Sequence, residues 1–226
     1  MFRLMRSDLY RLVHERKLWL ALVATVLASL VQGELVALVI LVLAAVVVGE
    51  DFRTGFVKNV LVTLPRRATY VLEKYVLVAL VDVVLLLVAL AVRLLSSLLP
   101  GAGVPMADAA SVVLPGLLVF WLAILACSSA VVTAVLAFRS DAVGIGISLL
   151  LASSAVGDLV SKALRTISVE PPSLVRIPNW LLAASVGLLG GGAGTSGVSP
   201  AMVVPSLLAV AVCLALSVAA IDHVEC

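Results

Sequence analysis

Long apolar runs broken by short charged stretches dominate the chain, and its first 17 residues are two-faced. Phe2, Met5, Leu9, Leu12 and Val13 fall on one helical arc, with Arg3, Ser7, Asp8, Arg11, His14 and Glu15 opposite. Residues 1–17 therefore predict an amphipathic helix lying in a membrane interface, basic residues toward headgroups. The apolar run that follows, Leu18 to Val48, is interrupted at Gln32-Gly33-Glu34. One crossing takes about 20 residues, so this run is long for one span and short for two.

Charge parity decides. Arg3, Arg6, Arg11, Arg16 and Lys17 precede the run; Arg53, Lys58, Arg66, Arg67 and Lys74 follow it. Basic flanks stay on the cytoplasmic side, so an even number of crossings separates them. Two short helices, 18–32 and 35–49, are expected, each about 22 Å long. A third span is expected over 75–95, then an external turn at Pro100-Gly101-Ala102-Gly103-Val104-Pro105. A fourth covers 112–137, a tight cytoplasmic connection follows at Phe138-Arg139-Ser140-Asp141, and a fifth covers 142–156. Residues 157–201 read as an external segment. Within it, apolar 180–189 is half a crossing long, interfacial or re-entrant, and 190–197 is glycine-rich. The last span covers 202–221. The expected fold is an all-α integral membrane protein: an interfacial helix, then six transmembrane helices, with both termini cytoplasmic.

Composition agrees. The chain is 63% hydrophobic and 12% charged, with a mean hydropathy of +1.27; soluble domains carry about 25% charged residues. In the six-span arrangement eleven basic residues fall inside, and only Arg93, Lys162, Arg165 and Arg176 fall outside or near the outer face. A cleaved signal peptide does not fit, because the leading segment carries Asp8 and Glu15 and no soluble domain follows.

Candidate chemistry is sparse. The basic residues are few and do not interleave with aromatics, which argues against nucleic acid as a partner. Cys127, Cys213 and Cys226 form neither a CxxC pair nor a Cys/His cluster, so no disulfide framework or metal site is expected. Gly190–Gly197 has glycines but not the lysine of a phosphate-binding loop. His14 and His223 lie near opposite ends of the chain, and no Ser/His/Asp triad suggests itself. No catalytic, cofactor-binding or metal residues are expected, and the chain is read as not an enzyme.

The most informative stretch is 50–67. Read as a helix from Thr54 to Leu64, it puts Phe56, Val57, Val60, Leu61 and Leu64 on one stripe and Thr54, Gly55, Lys58 and Asn59 on the other side. Thr54 is expected to cap its start, with Glu50 and Asp51 favourably ahead of it, and Pro65 to end it.

Glu50, Gly55, Lys58-Asn59, Leu61, Arg67 and Lys74 resemble the segment after the second helix of ABC-2 type transporter permeases. The basic amphipathic N-terminus, the six-span count and the short fourth-to-fifth connection extend the resemblance over nearly the whole chain. The first external loop departs from it, being nearly absent where many relatives have tens of residues. The resemblance implies the membrane subunit of an ATP-driven exporter, multi-pass in a bacterial plasma membrane and similar to antimicrobial-peptide immunity and drug-efflux permeases. It implies a second six-helix permease, self or homologue, and a separate ABC ATPase subunit holding ATP and Mg. Glu50, Arg53, Gly55, Lys58, Asn59, Arg66 and Arg67 would make the ATPase-coupling contact. Asp82 and Arg93, eleven residues apart on nearly one face of the third span, are candidates for a substrate path or for intramembrane pairing. The reading of another class is an ATP-independent membrane scaffold or immunity protein acting by binding.

Overall fold

The computed structural model describes residues 2–31, 34–57, 67–97, 109–153 and 203–222. Among these, every regular element is an α-helix: α1 Phe2–His14, α2 Arg16–Val31, α3 Glu34–Arg53, α4 Arg67–Ser97, α5 Ala109–Phe138, α6 Asp141–Ala152 and α7 Val203–Asp222. Four apolar stretches within them are long enough to cross a membrane: Leu35–Arg53, Ala68–Val92, Leu117–Phe138 and Val203–Ile221. The apolar α2 and α6 are shorter, at 16 and 12 residues. This is the character of a helical membrane protein.

The chain arranges these helices around α3. Its Val36, Ile40, Leu41, Ala45 and Val48 are fully buried, against Leu77 and Leu85 of α4 and Phe120, Ile124, Val132 and Val135 of α5 in one core. Large apolar side chains face outward elsewhere: Leu20, Val23, Leu27 and Leu30 on α2, Leu80, Val84 and Leu87 on α4, and Val204, Leu207, Val212 and Leu216 on α7. In water such faces would drive aggregation; in a bilayer they contact lipid at no cost.

Helices α2 and α3 run antiparallel. Arg11 of α1 and Lys17 of α2 meet Asp51 and Glu50 in the last turn of α3, so α3 runs back to the end at which α2 began. Helix α5 runs antiparallel to α4, with Ser128 opposite Asp82 and Thr133 opposite Tyr75. The connection after α5 is as tight as expected: Arg139 takes a left-handed φ of 53°, its N–H donates to the Val135 carbonyl at 2.7 Å, and α6 begins at Asp141.

Helix α6 packs closely along α3. A Cβ on Gly49 would overlap Asp141, and one on Gly144 would overlap Val135 and stand 2.9 Å from the Ala45 Cβ. Ser148 Oγ donates across the same contact to the Leu41 carbonyl at 3.0 Å. Small residues let two backbones approach in this way where lipid supplies no hydrophobic drive. Helix α7 is joined to α4 and α5 by hydroxyls. The Tyr75 hydroxyl lies 2.9 Å from Ser217 Oγ and 3.0 Å from Thr133 Oγ1, and Thr133 Oγ1 is 3.2 Å from the Cys213 carbonyl, to which it donates. Cys127 is buried, and both it and Cys213 are free thiols.

Of the expected fifth span, 142–156, the described part is helical from Asp141 to Ala152, and 154–156 lie outside the described residues. Two expectations change. Helix α1 does not turn its whole polar arc outward: Asp8 is buried with Leu12, while Leu9, Tyr10 and Val13 are exposed. Thr54 does not cap the next helical stretch, whose described part is Phe56 and Val57. Its N–H and its hydroxyl both bond the Glu50 carbonyl at 2.9 Å, and Gly55 follows with a left-handed φ of 69°, donating its N–H to the Phe52 carbonyl. These residues close the C-terminus of α3, where a glycine takes a left-handed turn without strain.

Candidate functional site: a buried ion cluster where α1, α3 and α4 meet

Glu50 and Asp51 sit in the last turn of α3, where the helix dipole disfavours negative charge. Asp51 is also almost wholly buried. An isolated carboxylate there would be costly, so its partners explain its place. Lys74, in the second turn of α4, brings Nζ within 2.6 Å of Asp51 Oδ2. Tyr70, one turn earlier, donates its hydroxyl to the same oxygen at 3.1 Å. From α1, Arg11 Nη2 donates to Asp51 Oδ1 at 3.2 Å. Asp51 is thus saturated from two sides.

Lys74 is equally buried and gathers three carboxylates. Besides Asp51 it pairs with Asp8 of α1 and stands 3.7 Å from Glu73 Oε2. Its ammonium also lies 5.3 Å from the centre of the Tyr70 ring, within range of a cation–π attraction. Around this centre runs a more exposed ring. Arg11 Nε donates to Glu15 at 2.9 Å, Arg11 approaches Glu50 at 3.8 Å, and Lys17 pairs with Glu50. The Arg11 guanidinium lies over Phe56 at 5.7 Å. Partial burial works against the Arg11 charge, but its bond to Glu15 and the charges of Asp51, Glu15 and Glu50 outweigh this and raise its pKa.

Asp8, Glu15, Glu50, Asp51 and Glu73 thus face Arg11, Lys17 and Lys74, five acids to three bases. The space left among them is about 10 Å³, room for at most one water. It is too small for an organic ligand. The cluster's chemistry is electrostatic and mechanical: it ties the N-terminal helix to both flanks of residues 54–66.

The expected coupling residues divide accordingly. Glu50 joins the cluster, Arg53 is exposed at the end of α3, and Gly55 makes the left-handed turn beyond it. Arg67 opens α4. Lys58, Asn59 and Arg66 lie outside the described residues, as do 157–201. Asp8, Asp51, Tyr70 and Glu73 were not singled out as site residues from the sequence. A signal was available: Glu50-Asp51 ends one apolar run and Glu73-Lys74 opens the next, so two charged pairs flank one connecting segment.

Asp82 is fully enclosed and accepts a hydrogen bond from Ser128 Oγ at 2.8 Å, while its Oδ1 has no partner among the described residues. Its neighbour is another helix of the same chain. Arg93 lies on α4, and its side chain is outside the described part. Among the described residues no three His, Cys, Asp or Glu side chains are grouped to hold a metal ion.

Compared with models of known families and with curated proteins, the chain matches none.

Proposed function

We propose that the chain is the membrane-spanning subunit of an ATP-driven ABC-2 type exporter. It crosses a plasma membrane six times with both termini in the cytoplasm. It pairs with a second six-helix unit and moves an amphipathic or hydrophobic substrate, such as a peptide antibiotic, a drug or a lipid-like molecule. ATP and Mg are bound by a separate ATPase subunit that docks on the segment 50–67.

One observation supports the reading above the others. Asp51 and Lys74 stand at the two flanks of residues 54–66 and are tied to each other and, through Asp8 and Arg11, to α1. A segment that receives a push needs a stiff mount, and a buried carboxylate held by three partners, as Asp51 is, is stiff. The sequence of the segment adds the Gly55, Lys58-Asn59 and Arg67 pattern.

The test is co-purification of the full chain with the product of an adjacent ATPase gene, followed by ATPase assays in lipid. A stable complex, with stimulated hydrolysis that collapses when Lys58 and Asn59 are substituted, is expected. Absence of any ATPase partner sinks the reading and leaves the ATP-independent scaffold or immunity role.

A further inference from the structure

Glu73 is the anomaly of the cluster. Its carboxylate is almost wholly buried, and neither oxygen has a hydrogen-bond donor among the described residues. Its nearest cation, Lys74 at 3.7 Å, is already engaged by Asp51 and Asp8. Asp8 Oδ2 and Glu73 Oε2 both approach Lys74 Nζ, so the two carboxyls are close neighbours, and two ionised carboxylates only accept, and repel. Among the described residues, the other charges around this point are committed. On α1, Arg11 holds Asp51 and Glu15; on α2, Lys17 holds Glu50; on α3, Glu50 and Asp51 add negative charge; on α4, Tyr70 donates to Asp51. Beyond α3, Asp141 of α6 lies against Gly49 and brings no positive charge.

We propose that Glu73 is a proton-binding site, and that its proton latches α1 to the bundle. With the proton in place, the Glu73 hydroxyl donates to Asp8, and two carboxylates remain on the Lys74 ammonium. When hydroxide removes the proton as water, three carboxylates crowd one ammonium and the cheapest relief is departure of Asp8 with α1. Asp8 and Leu12 are buried on the inward side of α1 while Tyr10 is exposed, so departure of Asp8 uncovers Leu12. The inference does not depend on the transporter reading, since it concerns only the attachment of α1.

Glu73→Gln imitates the protonated group and cannot lose its hydrogen as pH rises.

The test uses the full chain in lipid nanodiscs, with Asp82→Asn as background because Asp82 is a second enclosed carboxyl, and with Cys127, Cys213 and Cys226 replaced. Two readouts are followed from mildly acidic to alkaline pH. The first is the infrared carbonyl stretch of a protonated carboxyl. The second is the thiol reactivity of Leu12→Cys relative to the exposed Tyr10→Cys. Expected are a carboxyl band at neutral pH that fades in alkali, relative Leu12→Cys reactivity that rises severalfold as it fades, and loss of both changes in Glu73→Gln. A missing band at neutral pH, or a band unchanged by Glu73→Gln, overturns the proposal. So does the same rise in Leu12→Cys reactivity with and without Glu73→Gln. If Glu73→Gln does not fold, the fading or persistence of the band in the Glu73 protein decides alone.

Discussion

Asp51 Oδ2 and Lys74 Nζ stand 2.6 Å apart, both side chains almost wholly out of solvent, and the 22 residues between them in sequence carry the segment 54–66. Breaking such a pair from one side strands a buried charge, at a cost of about 3–5 kcal/mol. Lys74→Met strands Asp8 and takes the nearest cation from Glu73, while Asp51 keeps Arg11 and Tyr70. Thermal unfolding in detergent should show Lys74→Met as severely destabilised and Asp51→Asn less so. The double variant should lose clearly less than the sum. Additive losses would show that the pair is not coupled.

The contact between α3 and α6 makes a three-way prediction about glycines. Gly49→Ala and Gly144→Val drive a side chain into Asp141 and into Val135 and Ala45, at about 1–3 kcal/mol each. Gly146, two residues on in α6, has nothing within 4 Å of the place where a Cβ would stand. Gly146→Ala should be neutral or stabilising by up to about 1 kcal/mol, since glycine costs that much inside a helix. Equal losses at all three positions would contradict the close approach.

Asp82 is held by Ser128 inside the fold rather than presented on an open face. Asp82→Asn keeps an acceptor for Ser128 and removes a buried charge, so stability should hold or rise. Ser128→Ala takes away the one donor Asp82 has among the described residues and should cost about 1–3 kcal/mol. Loss of the fold in Asp82→Asn would mean that the charge itself is required.

The proposed topology has a direct check. With Cys127, Cys213 and Cys226 replaced, single cysteines at Ser7 and Ser140 should react with a membrane-impermeant reagent from one side, and one at Gly101 from the other. Reaction of Ser7→Cys and Ser140→Cys from opposite sides would defeat the six-span arrangement.

Much of the fold was legible because apolar runs are blunt signals. The helical hairpin of residues 16–53 follows from charge parity alone, and the corner at Arg139 from a short polar break. The candidate site was half legible for a physical reason. A periodic polar arc looks the same whether it meets water or a buried counter-charge, so the inward turn of Asp8 left no mark in the pattern of α1. Thr54 shows a similar ambiguity. A threonine after two acids can begin a helix or end one, and the left-handed turn at Gly55 settles the matter for the end.

The order in which the cluster's members occur along the chain has a consequence for biogenesis. Asp8, Arg11 and Lys17 leave the ribosome first, then Glu50 and Asp51, and Lys74 only afterwards. Synthesis runs from the N-terminus, so α2 and α3 emerge with Glu50 and Asp51 facing Lys17 and an Arg11 that Glu15 shares. Their seat stays provisional until the second turn of α4 arrives. The arrival of Lys74 is then the step that commits the first hairpin, and in the same step it joins the two flanks of residues 54–66.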